Sequence, residues 1–252
     1  MVNINRNQTL SQLQNLVTHT INAKLEYMSE QFNKEQQYAL ELFQKRILLE
    51  KLVEETLQFN KAINWDKEMI KNVYLVQSAE ELVDVFKLRS DIYSSLNYGK
   101  EFPDIIEGLN FDSYDPNSAI IYTKNDKEVM ATCRLIFDSD NQLPIEEKLN
   151  LENIRTKHKK IAEVSRLMVR NEQKTLSMDF KYLTKGIYMI LINNDLDASI
   201  SVIKKDHFKL YGKFGGFNVE RELSSYGHLD DTFVITSWDP KEISKFFEKA
   251  FL

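Results

Sequence analysis

One segment, Ile161-Ala-Glu163-Val-Ser165-Arg166-Leu-Met-Val169, determines how the rest of the chain is interpreted. Its β-branched and large apolar residues predict a strand over 160–170 that carries charged side chains within it. Burial raises the pKa of a carboxylate, which would bring Glu163 toward neutrality and suit it to act as a base. Buried charges normally have partners, so the alternative role of Glu163 is to form a structural ion pair with Arg134 or Arg166. The residues leave both roles open.

Short β-forming segments alternate with helical periods on both sides of this strand. Ser78 and Glu81 form a capping-box pattern, which predicts a helix from 79 to about 96. Other expected helices lie at 178–196, 206–213 and after Pro240, with a helical insert at 144–155. Other expected strands lie at 73–77, 118–123, 128–137, 199–204, 217–222 and 231–237. This order predicts an α/β (α+β) fold with a central mixed twisted sheet flanked by helices.

Composition excludes several classes of protein. A formal net charge of -5 gives no overall basic field for nucleic acid. The single cysteine, Cys133, excludes an internal disulfide framework and predicts a reducing, cytoplasmic location. The sequence contains no apolar run near the roughly 18 residues that cross a bilayer, and its first residues lack the pattern of a signal peptide. The histidines show no metal-ligand spacing, so no metal site is expected.

Four motifs resemble the acyl-homoserine-lactone synthases, which are autoinducer synthases of the GNAT acyltransferase fold. In that family an Arg and an aromatic residue one helical turn apart precede a D-x-[FY]-D loop, an Arg at the end of a hairpin and an E-x-S-R strand. The matching segments here are Leu88-Arg89-Ser-Asp-Ile-Tyr93, Phe111-Asp112-Ser-Tyr-Asp115, Cys133-Arg134 and Ala162-Glu163-Val-Ser165-Arg166. The expected fold covers about residues 73–238.

One position departs from that family. Where the synthases place a Trp against S-adenosylmethionine, this chain has Tyr98 or Gly99, depending on a one-residue gap. The sister group of N-acyl amino acid synthases shares the core and the acyl carrier protein donor but uses an amino acid as the amine. The chain resembles this group at least as closely.

The resemblance implies a role for each matching residue. The implied acceptor-binding residues are Arg89, Tyr93, Tyr98, Asp112 and Asp115. The implied donor-binding residues are Arg134, Ser165, Arg166, Met168, Val169, Arg170 and Lys174. Glu163 is the candidate base, and backbone N–H groups near Met168 would stabilise the oxyanion if the strand carries the bulge typical of the family. Tyr211 lies in His207–Phe217, which resembles the F-Y-x-x-x-G-F segment of general GNAT enzymes, and would protonate the leaving thiolate.

Several of these residues also have purely structural interpretations. Asp112 and Asp115 either face one cationic amine or bond their own backbone in a turn. Arg89 either clamps an acceptor carboxylate or holds the Asp loop by ion pairing, and we favour the second. Tyr211 is alternatively an ordinary helix aromatic in the core.

The donor is inferred from the link after the central strand. The segment 169–175 lacks the glycine-rich signature of acetyl-CoA users, and this absence argues against a standard acetyl-CoA enzyme. The resemblance implies an acyl carrier protein thioester as the donor, in preference to acyl-CoA. In this fold five lysines would lie around the donor exit: Lys174, Lys181, Lys185, Lys204 and Lys205. Carrier proteins are acidic, so these lysines either steer the carrier or are simply a solvated face. No bound cofactor is expected.

The chain before residue 73 has a different pattern. Between Leu10 and Ile70 there is neither proline nor glycine, and apolar residues recur every three or four positions. We therefore divide the chain into a helical N-terminal extension at 1–72 and a GNAT-like N-acyltransferase domain at 73–252. The extension is interpreted as a packing arm or a homodimer interface, and the alternatives are a membrane-surface helix or a lid over an acyl chain.

These observations together predict an N-acyltransferase. It would move a fatty acyl group from an acyl carrier protein thioester to the amine of an amino acid or related small amine. The first alternative is homoserine-lactone synthesis from S-adenosylmethionine. The second is a catalytically silent GNAT-fold binding module that uses the helical extension for interaction.

Overall fold

The computed structural model describes residues 33–66, 71–126, 128–140, 142–170 and 177–252. The chain divides into two compact units, Met1–Glu55 and Thr56–Leu252. The part of the predicted helical extension before residue 33 lies outside the described residues, and so does Lys174. The boundary expected near residue 72 and the homodimer expected through the extension stay predictions.

Helices and strands alternate in the order that the sequence predicts. The helices of the described residues are α1 Lys34–Ala62, α2 Ala79–Ser95, α3 Glu152–Lys157, α4 Met178–Asn193, α5 Lys205–Tyr211 and α6 Lys245–Phe251. The strands are β1 Tyr74–Leu75, β2 Ser118–Lys124, β3 Val129–Phe137, β4 Ile161–Val169, β5 Ala198–Lys204, β6 Phe217–Leu223 and β7 Phe233–Trp238. None of the described helices is long and apolar enough to cross a membrane.

A local sequence signal accounts for the start of α2. The Ser78 hydroxyl accepts the Glu81 N–H at the start of α2, and the Glu81 carboxylate accepts the Ser78 N–H, as the capping box predicts.

Strand β1 is shorter than the expected 73–77. The Asn60 side chain donates to the Ser118 carbonyl and accepts the Ile120 N–H, so it occupies the edge of β2 that a longer β1 would use.

In the described part of the chain the strands form one seven-stranded sheet in the order β1-β2-β3-β4-β5-β7-β6. Neighbouring strands are antiparallel except for β4 and β5, which are parallel. The expected mixed sheet with flanking helices is therefore confirmed. Helix α4 follows β4 and leads to β5, as a parallel connection requires.

The two faces of the sheet have different neighbours. Alternate residues such as Ile121, Cys133 and Ala162 join the core with α4 and α6, and we call this side the α4 face. The opposite residues include Tyr122, whose hydroxyl donates to Glu81 of α2, so we call the other side the α2 face. Because side chains alternate along a strand, Glu163 lies on the α2 face, opposite to Ala162.

A bulge interrupts the pairing of β3 and β4. Arg134 pairs with Ser165 and Thr132 pairs with Met168, so β4 contains one more residue than β3 between these pairs. Arg166 takes up the extra position with φ of 53°, in the left-handed region. As a result Ser165 and Arg166, although consecutive, both point to the α2 face, where each contacts a residue of that side.

The pairing of β4 with β5 covers only the first half of each strand. It runs from Ile161 with Ala198 to Val164 with Ser201, and in the described residues it extends no further. Residues 165–169 of β4 and 202–204 of β5 continue without pairing to each other. The sheet therefore has a gap between its two parallel strands, beside the bulge.

Candidate active site

Three arginines from three elements converge on the loop before β2. Arg89 of α2 lies 2.8 Å from Asp115, and Arg134 of β3 contacts both Asp112 and Asp115. Arg166 of β4 lies 2.8 Å from the second oxygen of Asp112. We call these five residues the Arg–Asp cluster. The structure brings together all of the sequence-predicted residues of this set.

The acidic loop is also organised by its own backbone. The Asp112 N–H donates to the Asp115 carboxylate at 2.9 Å, and the Tyr114 N–H donates to the Asp112 carboxylate at 2.9 Å. Asp115 begins a short 3-10 helix over Asp115–Asn117, with Pro116 in its first turn. The turn interpretation and the charge-pairing interpretation of these aspartates therefore describe the same geometry.

Arg89 lies in the interior and makes its ion pair there. Both the Arg89 and the Asp115 side chains are 0% exposed. Burial lowers the pKa of Arg89, and the adjacent Asp115 carboxylate opposes that shift. This geometry favours the role of holding the Asp loop, because a fully buried guanidinium does not reach a small molecule at the surface of the site.

The Arg–Asp cluster carries more positive than negative charge. Three guanidinium groups face two carboxylates. Burial would raise the pKa of Asp112, but the charges and hydrogen bonds of Arg134 and Arg166 outweigh burial and hold that pKa well below its usual range. Asp112 is therefore ionised throughout the physiological range, and the cluster retains a surplus of one positive charge.

Arg166 is held by aromatic and amide groups as well as by Asp112. Its guanidinium carbon lies 5.0 Å from the Tyr93 ring centre and 4.7 Å from that of Phe102. It also donates to the Asn110 side-chain oxygen at 3.2 Å. Burial raises the pKa of Tyr93, so this phenol is neutral beside the arginine. The predicted residue Tyr93 thus contributes a ring face to the site.

Glu163 lies on the same face as the Arg–Asp cluster and is 4% exposed. One of its oxygens accepts the Ile145 N–H at 2.9 Å. Burial raises the pKa of Glu163 to about 7, while the Ile145 hydrogen bond and the Arg134 charge oppose the shift and Asp112 adds to it. A buried carboxyl with a pKa near neutrality is the property that a general base needs.

The predicted alternative for Glu163 was a structural ion pair. Arg134 instead directs its Nε to the Ser165 hydroxyl at 3.0 Å and its Nη1 to the two aspartates. Arg166 is likewise occupied by Asp112 and Asn110. Among the described residues, no basic side chain forms an ion pair with Glu163. Its carboxylate is therefore available for proton transfer.

Tyr98 follows α2 and packs beside Tyr93, a residue of that helix. The two rings are 6.4 Å apart, and Tyr98 lies close enough to Lys204, at the end of β5, to add to the effect of Asp231 in raising the pKa of that ammonium. Lys204 also pairs with Asp231. Tyr98 is half-buried and lies between the ring of Tyr93 and the end of β5.

Tyr211 lies away from the other predicted site residues. Its ring packs against Phe180, Phe214 and Phe217 at centre distances of 5.9, 5.4 and 5.7 Å. This aromatic group belongs to the core on the α4 face, whereas Glu163 lies on the α2 face. The geometry favours the core interpretation of Tyr211 over the role of a leaving-group acid.

Four of the predicted donor-binding residues, Ser165, Arg166, Met168 and Val169, lie on β4 beyond its pairing with β5. Ser165 and Met168 point to the α2 face, where Ser165 bonds Arg134, and Val169 packs into the core of the α4 face. Arg170 follows β4 and pairs with Asp91 of α2 at 2.9 Å. The resemblance implied a bulge in this strand as part of an oxyanion site. The structure has a bulge there, at Arg166.

The predicted lysines fall into two groups. Lys181 and Lys185 of α4, together with Lys71, line a groove of about 400 Å³ whose other walls include Tyr182 and Phe251. Lys204 pairs with Asp231 and Lys205 pairs with Glu222, at the end of β5. Among the described lysines of this set, Lys181 and Lys185 form no ion pair with an Asp or Glu side chain, although the Lys185 ammonium donates to the Leu252 oxygen at 3.5 Å.

Metal ligands and the Cys133 thiol are two further kinds of reactive group in the described residues. In the part of the chain that the structure describes, no three metal-ligating side chains cluster together. Cys133 is fully buried on the α4 face, and burial raises the pKa of its thiol to about 12. A thiol in that state is not a nucleophile.

Sequence reasoning missed three contributors: Asn110, Phe102 and Tyr226. Asn110 donates to the Phe102 carbonyl at 2.9 Å and accepts from Arg166. Tyr226 is placed by the turn between β6 and β7, and its ring centre lies 6.5 Å from that of Phe102. Asn110 adjoins the acidic loop, which was the available signal. Phe102 and Tyr226 are brought in by long-range packing, for which the sequence contains no local pattern.

Comparisons with known proteins identify the relatives of this arrangement. The family model of the N-acyl amino acid synthase FeeM matches residues 84–239. This range includes the part of α2 that carries Arg89, the acidic loop, β3 and β4, and hence the whole Arg–Asp cluster. A comparison with curated protein sequences gave no match.

Solved structures share the fold at low sequence identity. The structure of FeeM, an N-acyl amino acid synthase from uncultured soil microbes, is 15% identical, and the match covers 71% of this chain and 93% of that chain with a TM-score of 0.54. BjaI, a CoA-dependent acyl-homoserine lactone synthase solved with MTA, is 15% identical, with 69% and 81% coverage and a TM-score of 0.52. These likenesses confirm the expected fold.

Proposed function

Because the chain belongs to the family of the N-acyl amino acid synthase FeeM, we propose that it transfers a fatty acyl group from an acyl carrier protein thioester to the amine of an amino acid or related small amine. The family makes it an acyltransferase that forms N-acyl products. The amine, the carrier and a cytoplasmic location are parts of the proposal. The observation that carries it is the position of Glu163 beside the Arg–Asp cluster on one face of the sheet.

The reaction requires one proton to leave and one to arrive. The amine nitrogen attacks the thioester carbonyl carbon, the new C–N bond forms and the C–S bond breaks. The amine gives up a proton, and the departing thiolate takes one. The carbonyl oxygen gains negative charge in the transition state and needs hydrogen-bond donors.

Glu163 is the proposed base. Its pKa of about 7 leaves a substantial fraction ionised at neutral pH while keeping it basic enough to accept a proton from the amine. Its burial and its single described backbone donor, the Ile145 N–H, hold the carboxyl in one orientation. The Tyr211 position supports no acid role, so we propose that the thiolate is protonated by solvent or by the proton that Glu163 has received.

The charge of the site supports an acceptor with a carboxylate. The Arg–Asp cluster has one more guanidinium than carboxylate, and its Arg166 side chain is the most exposed of the three arginines, at 10%. An amino acid brings a carboxylate for Arg166 and an amine for Asp112 and Glu163. A simple alkylamine would leave the surplus positive charge unpaired in a largely buried site.

The gap between β4 and β5 supports a thioester on a long flexible arm. Residues 165–169 of β4, which the described part of β5 does not pair with, line it, and a pantetheine chain offers amides that pair with strand backbone groups. Lys71, Lys181 and Lys185 supply positive charge beside α4, on a protein whose formal net charge is -5. We propose that an acidic carrier protein approaches this side.

Lipid extracts of expressing cells test the proposal. Mass spectrometry of cells that express the parent chain is expected to show new N-acyl amino acids. The Glu163→Gln variant is expected to abolish them, and the matched control Glu248→Gln, an exposed position on α6, to retain them. An acyl lactone in place of N-acyl amino acids would contradict the proposed acceptor. The absence of any new acyl compound, with folded protein and intact carrier present, would contradict the acyl-transfer assignment.

A further inference from the structure

The segment Tyr98–Phe102, which we call the strap, crosses the gap between β4 and β5 on the α2 face. At one end the Phe102 ring lies 4.7 Å from the guanidinium of Arg166, on β4. At the other end Tyr98 lies near Lys204, the last residue of β5, whose pKa is raised by Asp231 and, to a smaller extent, by Tyr98. The strap therefore connects the two strands where they no longer pair with each other.

The middle of the strap is bound to the turn between β6 and β7. The Glu101 carboxylate accepts the His228 N–H at 2.8 Å. The turn itself is closed by reciprocal backbone hydrogen bonds of 2.9 Å between Tyr226 and Leu229. Gly227 has φ of 56°, and a Cβ atom at this position would collide with the Glu101 carboxylate. The carboxylate thus fits against this turn because Gly227 has no side chain.

This contact places an aromatic ring over the site. Tyr226 is half-buried, with ring-centre distances of 6.5 Å to Phe102 and 5.8 Å to Phe233. The Lys148 ammonium lies 6.0 Å from the same ring centre. Phe102 in turn stacks on Tyr93 at 4.6 Å, so a continuous row of rings runs from α2 to the turn.

We propose that Glu101 is a positioning residue: by binding the turn at 226–229 it fixes Tyr226 and Phe102 as the roof of the acceptor site and thereby determines acceptor affinity. The inference rests on the proposed acyl transfer to a small amine, because it assigns the space beneath the roof to that amine. The roof spans the gap beside Arg166, which is the group proposed to bind the acceptor carboxylate.

The position of the strap distinguishes acceptor from donor. The roof covers the α2 face, whereas the groove with Lys71, Lys181 and Lys185 belongs to α4 and α6 on the opposite face. Loosening the roof therefore removes a wall from the acceptor side and leaves the proposed donor approach unchanged. A general loss of structure would instead affect both substrates.

Steady-state kinetics of three variants test the inference. Glu101→Ala removes the acceptor of the His228 N–H, Glu101→Gln keeps an oxygen that accepts it, and Glu107→Ala changes an exposed glutamate of the same loop. We expect Glu101→Ala to raise the KM of the amino acid roughly tenfold, the effect of losing one charge-assisted hydrogen bond, while the KM of the acyl donor changes less than about twofold. Glu101→Gln should lie between parent and Glu101→Ala, and Glu107→Ala should equal the parent.

Hydrogen exchange provides a measurement that does not depend on the reaction. The amides of His228 and Leu229 are expected to exchange faster in Glu101→Ala than in Glu107→Ala. A second variant, Gly227→Ala, separates the carboxylate from the turn without removing the carboxylate and should produce the same rise in acceptor KM. An unchanged acceptor KM in Glu101→Ala and Gly227→Ala would overturn the inference, whether or not exchange is faster. If the parent acylates no amine, the proposed function fails, and unchanged exchange in Glu101→Ala would independently refute the contact between strap and turn.

Discussion

Arg166 reaches Asp112, 2.8 Å away, because Arg166 occupies the extra position of the β4 bulge with φ of 53°. Without the bulge, alternation along β4 would direct residue 166 to the α4 face, opposite to Ser165. The left-handed backbone turns two consecutive polar side chains onto the face that holds Glu163. One irregular residue thus brings Arg166 into the Arg–Asp cluster, beside the gap.

The first prediction concerns the backbone at this position. A non-glycine residue in the left-handed region costs about 1–2 kcal/mol, part of which glycine recovers. Arg166→Gly should therefore have a free energy of unfolding about 1 kcal/mol greater than Arg166→Ala, although both lose the same ion pair. Chemical denaturation of the two variants measures the difference. Equal stabilities would show that the bulge is not strained at residue 166.

The second prediction concerns the charge of Arg166. Arg166→Lys keeps the positive charge but loses the planar group that contacts Asp112, Asn110 and two aromatic rings. We expect the acceptor kcat/KM to fall at least roughly tenfold while the KM of the donor stays within about twofold. Arg46→Lys, at an exposed position of α1, is the matched control. A fall in donor affinity alone would contradict the assignment of Arg166 to the acceptor.

The third prediction concerns the buried ion pair of Arg89 and Asp115. Asp115→Asn leaves the fully buried Arg89 without its carboxylate, which should lower the free energy of unfolding by about 3–5 kcal/mol. Arg89→Met leaves Asp115 paired with Arg134, 3.1 Å away, and should cost less. Urea titrations of both variants give the order. A larger loss in Arg89→Met would contradict the idea that Arg134 holds the loop in the absence of Arg89.

The fourth prediction concerns the dependence of stability on pH. The pKa of Glu163 is raised from 4.5 to about 7 in the folded protein, so between these values the folded state binds more protons than the unfolded state. Folding is therefore favoured by Glu163 at low pH, and this contribution is lost as the pH rises through 7. Relative to Glu163→Gln, the parent should lose about 2–3 kcal/mol of unfolding free energy between pH 5 and pH 8. An identical pH dependence in both proteins would show that Glu163 is not perturbed.

The order of elements could be predicted from sequence because it depends on local signals, whereas the members of the Arg–Asp cluster were implied by the resemblance of short motifs to a known family. The capping box at Ser78 and Glu81 and the period-two alternation around the hairpin define α2, β2 and β3. Each residue of the cluster lies in a short motif, and the spacing within that motif fits a single helix, strand or loop. Local patterns of this kind are present before any long-range contact forms.

The remaining features depend on contacts between distant segments. Periodicity gives no sign that Tyr211 belongs to an aromatic core on the opposite face from Glu163, because it does not say which side of a sheet an adjoining helix covers. The shortness of β1 follows from the Asn60 side chain, which reaches β2 from a helix 58 residues earlier in the chain. The roof residues Phe102 and Tyr226 meet through the Glu101 contact. Sequence alone assigns no partner to such residues.

The pH dependence of acyl transfer tests the central claim, that Glu163 is the base of an N-acyl amino acid synthesis, most directly. The measurement is kcat/KM for an amino acid, with an acyl carrier protein thioester as donor, from pH 5 to pH 9 for the parent and Glu163→Gln. The account predicts an acid limb with an apparent pKa of about 7 in the parent and a rate lower by roughly a hundredfold or more, without that limb, in the variant. A Glu163→Gln protein that keeps both the rate and the acid limb of the parent would contradict it.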